Sequence, residues 1–410
     1  MIYTPYPMTI KIFRNFSQIM TLQTALRKDG RRLRPDDMDV IKNGTVVFNN
    51  DEILWVGEDR NLPEEYLETP AIDMTDKVLT PEIVDCHTHL VFGGDRASEY
   101  TMRLNGATYA EIAASGGGIL NSMNGTNALS RNDLFKLAQQ RIKTIKSYGV
   151  GTIEIKSGYG LNFEKEYEIS HIIHDLKNVM RPDIQIINTF MAAHAVPKDY
   201  PSSYDYMKEV VLPLLDRLAG DEIIDCVDIF HEKNYFSDED VISLFERAQR
   251  LNIPVKMHAD EFNDNKGAVL ACRFEALSAD HLLATTSDGI EALKKSNTVA
   301  TLLPGTGFFL GKNQTNARAL LDAGVKVAIG SDFNPGSCHC DNVLMLAALS
   351  APTYKMNISE LWCAITLNAA HSLGLKNQGA ISVGLKPRFS IFNTDSIDRI
   401  TYNWGKNLAI

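Results

Sequence analysis

Residues 82–96 read Glu82-Ile-Val-Asp-Cys-His-Thr-His-Leu-Val-Phe-Gly-Gly-Asp-Arg96, an apolar run that ends in two histidines one residue apart. Residues two apart on an extended segment point the same way, so His87 and His89 aim at one spot beyond the strand's end. The stretches on either side say what kind of strand this is. From about residue 78 to 373 the chain alternates strand-like apolar runs with amphipathic helical ones. Strand candidates fall at 82–85, 151–155, 184–189, 226–230, 254–257, 276–279, 298–303 and 325–329. Helical candidates lie between them, among them 131–148, 164–178, 238–251 and 314–323. Repeated strand–helix units imply a parallel sheet with right-handed crossovers. Roughly eight such units fit an α/β fold of the closed (β/α)8 TIM-type barrel better than an open sheet. Chemistry then belongs at the C-terminal ends of the strands.

The two ends of the chain have another texture. Residues 11–80 alternate apolar and polar positions in short runs broken by Asn43, Asn49, Asn50, Asp51 and Gly57, the pattern of antiparallel strands. Residues 379–383 and 388–392 repeat it. We expect a small β-sandwich-like domain assembled from both termini, 1–80 plus 374–410, beside a barrel at 81–373.

A chain of 410 residues is long enough for one large and one smaller domain. Its net charge of −10 argues against nucleic acid or an anionic membrane as partner. No apolar run reaches the roughly 18 residues of a membrane span, and residues 1–16 lack the apolar core of a signal peptide. The six cysteines do not form a disulfide framework, which points to a reducing, cytoplasmic setting. Cys338 and Cys340 flank His339, and this pair reads as structural.

Three further strand ends carry titratable residues. Val255-Lys-Met runs into His258, Ala279-Asp280 into His281, and Ala328-Ile-Gly-Ser into Asp332. Such groups at the end of an apolar strand are expensive unless partnered. Four imidazoles and one carboxylate converging on one place suit a borderline metal such as zinc or iron. A catalytic metal needs three or four protein ligands and an open position for water.

Histidines two apart after the first strand, one histidine after each of the fifth and sixth, and an aspartate after the eighth resemble the amidohydrolase superfamily. Longer strings resemble, more narrowly, its imidazolonepropionase family: residues 85–96 quoted above, Glu154-Ile-Lys-Ser-Gly-Tyr-Gly160, His258-Ala-Asp-Glu261 and Gly330-Ser-Asp-Phe-Asn-Pro-Gly-Ser337. The match runs from about residue 11 to 405. The resemblance implies His87, His89, His258 and Asp332 as metal ligands. It implies His281 as the histidine that orients or activates the attacking water. It puts Arg96, Tyr159, His194, Glu261, Asn334, Gly336 and Ser337 around the substrate, and it implies a homodimer. Binuclear members carry a lysine after the fourth strand. Here Met191-Ala-Ala-His194 follows with no lysine before Lys198, so one metal ion per chain is expected. The family usually has cysteine where this chain has His231, which we read as a packing residue.

The reaction implied is hydrolysis of the cyclic amide C–N bond of 4-imidazolone-5-propanoate to N-formimidoyl-L-glutamate, a step of histidine degradation. Asp332 and His281 would share the water's proton, and Glu261 would manage the proton of the leaving nitrogen. An anionic substrate entering an acidic protein needs a local cation, and Arg96 is the candidate because its planar fork matches a carboxylate. A surface pairing of Arg96 with Asp95 or Glu99 is the competing reading. Two other functions stay open: a purine or pyrimidine deaminase with the same metal, and a binding protein that keeps the barrel without turnover. His171 and His174 read as solvated helix residues, His371 as buried in the last helix, and Gly116-Gly-Gly118 as a flexible loop at the active site.

Overall fold

Helices form where apolar residues keep a spacing of three or four and a polar side chain marks the start. In the helix Arg131–Ser147 the buried residues are Leu134, Ala138, Ile142 and Ile145, and Ser130 caps the start by accepting from the amide of Asp133. Asn162 caps Phe163–Val179 in the same way, and Ser237 forms a capping box with Asp240 ahead of Asp238–Arg250. The fourth expected helix starts later than predicted, at Ala317, because Asn316 supplies its cap. Gln314 is instead drawn into tertiary contacts, donating to Pro304 O at 3.2 Å and accepting from the Tyr354 hydroxyl at 3.0 Å. The structure is a computed structural model that describes residues 10–108, 111–112 and 116–410. The first nine residues of the expected 1–80 unit lie outside the described residues.

The α/β middle of the chain contains two parallel sheets. One has the order Ile83–Asp85, Val150–Lys156, Gln185–Phe190, Cys226–Val227. The other runs Phe230–His231, Met257–Ala259, Ser278–His281, Val299–Leu302, Val327–Ile329. Parallel bridges pair Val227 with Val255 and Thr88 with Phe333, so each sheet touches the other at both edges. The run expected as one strand at 226–230 is two, because the Asp228 side chain accepts from the Ile229 amide at 2.7 Å and breaks the ladder. The fifth and sixth expected strands lie two to three residues further on than predicted. His258 and His281 are therefore strand residues, paired in register with neighbouring backbone, rather than loop residues beyond the ends.

The terminal segments form a single six-stranded sheet in place of the two facing layers of a sandwich. Its hub is the ten-residue strand Lys11–Met20, which pairs with Val40–Phe48, Ala71–Asp73 and Val78–Pro81. Phe16, Ile19, Val46 and Leu79 pack in one cluster of this sheet, and Ile12, Val47 and Leu62 in another. The last strand, Phe389–Phe392, closes the order against Val78–Pro81. Among the described residues no helix is long and apolar enough to cross a membrane.

Glu82 joins the terminal sheet to the parallel one. It accepts from Arg388 Nε at 2.6 Å, Thr152 Oγ1 at 2.9 Å and Gln378 Nε2 at 2.8 Å while fully buried. Burial pushes its carboxyl up, against the pull of Arg388. Arg388→Ala leaves this charge without its cation and should lower unfolding stability by about 3 kcal/mol. A urea midpoint indistinguishable from wild type would show that Glu82 does not depend on the pair.

Candidate metal centre

The strand ends bring the expected residues together. After Ile83–Asp85 the chain continues extended beside residues 332–334: the Asp332 amide donates to His87 O at 3.0 Å and the His89 amide to Phe333 O at 2.9 Å. Thr88 turns the other way and donates to Glu154 O at 2.6 Å, so the two imidazoles share one side. Asp332 (φ 53°) and His281 (φ 78°) both sit in the left-handed region, which costs on the order of 1–2 kcal/mol for a residue with a Cβ. Neighbouring strands hold both in place.

The imidazole nitrogens face inward. His89 Nε2 lies 3.3 Å from both His87 Nε2 and His258 Nε2, and Asp332 Oδ1 lies 3.6 Å from His87 Nε2 and 3.9 Å from His89 Nε2. Two ligands of a tetrahedral ion at ~2.05 Å stand about 3.3 Å apart. The outer nitrogens of two rings are already engaged: His87 Nδ1 meets Asp280 Oδ2 at 2.7 Å, and His258 Nδ1 meets Asp228 Oδ1 at 3.2 Å. Those contacts place the ring protons outside and the lone pairs inside. Burial, reinforced by neighbouring cationic groups, holds His87, His89 and His281 well below the usual histidine range, so their rings are neutral donors. Lone pairs converging this closely, with every side chain buried, fit a metal ion. His281 also lies within 4.8 Å of His87 and His258, ligand atom to ligand atom.

Beneath the imidazoles lies a charge network that the sequence reading did not anticipate. Lys156 Nζ reaches Asp228 Oδ2 at 2.6 Å and Glu154 Oε2 at 2.9 Å. Lys256 Nζ reaches Glu154 Oε2 at 2.8 Å and Cys86 O at 2.9 Å. None of the five groups Glu154, Lys156, Asp228, Lys256 and Asp280 is exposed. Burial disfavours the Asp228 carboxylate, yet Lys156 and His258 outweigh it and hold the group well below the usual carboxylate range. The signal was present: Glu154 and Lys156 alternate inside an apolar strand, where only mutual pairing makes two charges tolerable.

Above the centre opens a cavity of about 730 Å³. All seven expected substrate residues, Arg96, Tyr159, His194, Glu261, Asn334, Gly336 and Ser337, line it. His194 donates from Nδ1 to Gly158 O at 2.9 Å and stacks on His89 at 4.9 Å, and burial lowers its pKa to about 4. Burial, with Asp332 and Glu232 nearby, pushes the Glu261 carboxyl well above the usual carboxylate range. Arg96 does pair with Glu99, at 2.8 Å, but its side chain is only 18% exposed and faces the cavity. Gly336 leaves room for Arg96: a Cβ there would come within 2.1 Å of Arg96 Nη1 and push the guanidinium aside. The Asn334 side chain is committed to its own turn, accepting from the amides of Gly336 and Ser337 and donating to Ser337 Oγ, all at 2.8 Å.

Other expected residues lie elsewhere. His231 bonds Asp238 at 2.8 Å and does not line the cavity. His171 packs on Tyr167 on a helix. His371 lies in the helix Leu367–His371 with its side chain 12% exposed, close to the buried placement expected. The Gly118 amide donates to Glu99 at 3.1 Å, so the glycine-rich stretch braces the partner of Arg96. Cys338 is buried against Gly305, and His339 packs on Phe92 and Phe333. Thr306, unmarked in the sequence reading, donates a short hydrogen bond to Asp332 Oδ2 and leaves Oδ1 to face the histidines.

Comparison with known proteins gives a consistent picture. Residues 78–408 match the model of the amidohydrolase family. The chain is 38% identical to the imidazolonepropionase of Bdellovibrio bacteriovorus, covering 91% of this chain and 88% of that one. It is 39% identical to that of Agrobacterium fabrum, covering 97% and 93%. Two solved structures share the fold at low identity. Atrazine chlorohydrolase from Arthrobacter aurescens, complexed with zinc, has a TM-score of 0.70 at 15% identity over 95% of this chain and 88% of its own. Guanine deaminase from C. acetobutylicum with bound guanine has 0.68 at 17%, over 98% of both.

The carboxylates behind the imidazoles should tune metal affinity. Asp280→Asn keeps the shape but weakens the acceptor for His87 Nδ1, and zinc affinity should fall about 10- to 100-fold. Chelator competition measures this, and an unchanged affinity would mean that Asp280 does not orient His87.

Proposed function

The chain belongs to the amidohydrolase family and, within it, to the imidazolonepropionases, and on that footing we propose which residues hold the metal and which move protons. It hydrolyses the cyclic amide of 4-imidazolone-5-propanoate to N-formimidoyl-L-glutamate, a step of histidine degradation. A divalent metal serves the reaction. His87, His89, His258 and Asp332 hold one ion per chain, zinc or iron. The observation that carries this is the convergence of three buried Nε2 atoms, with 3.3 Å separating neighbours in the set. A bound ion of this kind supplies Lewis acidity that lowers the pKa of water to about 7.

The chain's own groups do the rest. Arg96 takes the propionate carboxylate, with Tyr159 and His194 beside it. His281, neutral and 3.5 Å from Glu261, accepts the proton of the attacking water together with Asp332. The water oxygen bonds to the ring carbonyl carbon, the ring C–N bond breaks, and protonated Glu261 gives its proton to the leaving nitrogen. The new acid becomes a carboxylate as its proton returns to Glu261, and the nitrogen stays in the formimidoyl group, so no ammonia leaves. Gly336 gives Arg96 room, and Asn334 and Ser337 shape the turn behind Asp332.

We read the two parallel sheets as one (β/α)8 barrel over 81–373, a reading supported by the bridges at both edges. The terminal sheet is then a small domain of 1–80 plus 374–410.

Purified enzyme should bleach imidazolonepropionate in the ultraviolet without releasing ammonia; ammonia release would indicate a deaminase. His281→Asn should keep its metal and lose about 10²- to 10⁴-fold in rate. Loss of metal in step with activity would make His281 a ligand. Elemental analysis should find one ion per chain, and two ions both needed for turnover would overturn the ligand set.

A further inference from the structure

Arg103 lies seven residues after Arg96, two turns along the helix Ala97–Leu104, and lines the same cavity. Nothing in the reaction as derived uses it. Its guanidinium lies 4.8 Å above the Phe309 ring, and Phe309 stacks on Tyr100 at 4.9 Å. This aromatic support covers the flat face of the guanidinium and leaves its N–H edge free. Among the described residues no carboxylate or carbonyl takes a hydrogen bond from that edge; the two rings support it, and Arg96 and Glu99 act on it through charge alone.

The local charge is unbalanced. Glu99 is the one carboxylate on this helix. It already accepts from Arg96 Nε at 2.8 Å, from Asn121 Nδ2 at 2.9 Å and from the Gly118 amide at 3.1 Å. Two guanidiniums thus share one buried anion at the wall of a cavity in a protein of net charge −10. Burial and the nearness of Arg96 both push Arg103 below the usual guanidinium range. A guanidinium that is half-buried, feels the charge of another and has an open donor edge has the arrangement of an anion site. Helix geometry offers a bland alternative, since a cation in a last turn also favours the helix dipole. That alternative explains neither the aromatic support nor the turn toward the cavity.

We propose that Arg103 is a second recognition residue for the substrate's carboxylate, sharing it with Arg96. The inference rests on the reading of Arg96 as the carboxylate's partner. Uniform binding of ground and transition states appears in KM rather than kcat. Arg103→Gln removes the charge at similar length, and kcat/KM for imidazolonepropionate should fall about 10- to 30-fold, mostly through KM. Arg103→Lys should recover part of the loss. The comparison substrate is the same ring bearing a neutral propanamide. The ratio of kcat/KM for the acid to that for the amide should fall at least about tenfold in Arg103→Gln, as it should in Arg96→Gln. An equal loss on both substrates would make Arg103 a prop for the Tyr100–Phe309 stack and overturn the proposal. So would wild-type kcat/KM for the acid in Arg103→Gln. If Arg96→Gln also leaves the ratio unchanged, the carboxylate is read elsewhere and the underlying reading fails too. If Arg96→Gln lowers the ratio and Arg103→Gln does not, only the present inference fails.

Discussion

The Lys156 ammonium lies 2.6 Å from Asp228 and 2.9 Å from Glu154, and none of the three side chains meets solvent. Removing such charges from water costs several kcal/mol per ion, recovered only if each finds opposite charge in good geometry. The network meets that condition by running through strands from both parallel sheets, since Glu154 and Lys156 lie in Val150–Lys156 and Asp280 in Ser278–His281. Each carboxylate therefore has a fixed place before it meets a histidine. Asp228 and Asp280 have oxygens left for His258 and His87, so the tautomer and tilt of two rings are inherited from a salt network below them. Much of the precision at the strand ends comes from this layer.

Strain is arranged on top of that foundation. His281, the last residue of its strand, and Asp332, three residues beyond Val327–Ile329, both adopt left-handed backbone conformations. Aspartate and histidine both tolerate this region better than most residues with a Cβ, and the surrounding strands hold both in it. Thr306 adds a further restraint by occupying the outer oxygen of Asp332. The arrangement gives each polar group one permitted orientation.

The parts of this design legible in the sequence were those with a regular spacing. Two histidines at alternate positions, and single titratable residues where apolar runs stop, point to a site without knowledge of any contact. The α/β class of the middle of the chain was legible from the same alternation of strand and helix. Boundaries were less so: Asp228 splits one expected strand by bonding to the next amide, a choice no periodicity records. Thr306 was invisible because a threonine 26 residues before Asp332, in a short helix, has no pattern to mark it. Arg103 was hidden for the opposite reason, since an arginine in the last turn of a helix is an ordinary thing to find. The single sheet of the terminal segments was missed because alternation reports which side of a strand is buried and leaves open which strands pair.

The order in which the chain is made gives one of these pairings a further meaning. The strand Val78–Pro81 leads straight into the histidine segment, yet one of its edges is covered only by Phe389–Phe392. Glu82, the next residue, takes its guanidinium from Arg388. A growing polypeptide thus completes every parallel strand and every proposed metal ligand while the base of the first strand still has an open edge and a bare buried acid. Completion of the site's support is tied to the arrival of residues 388–392, and a product interrupted before them keeps the ligands without the anchor of the strand that carries two of them.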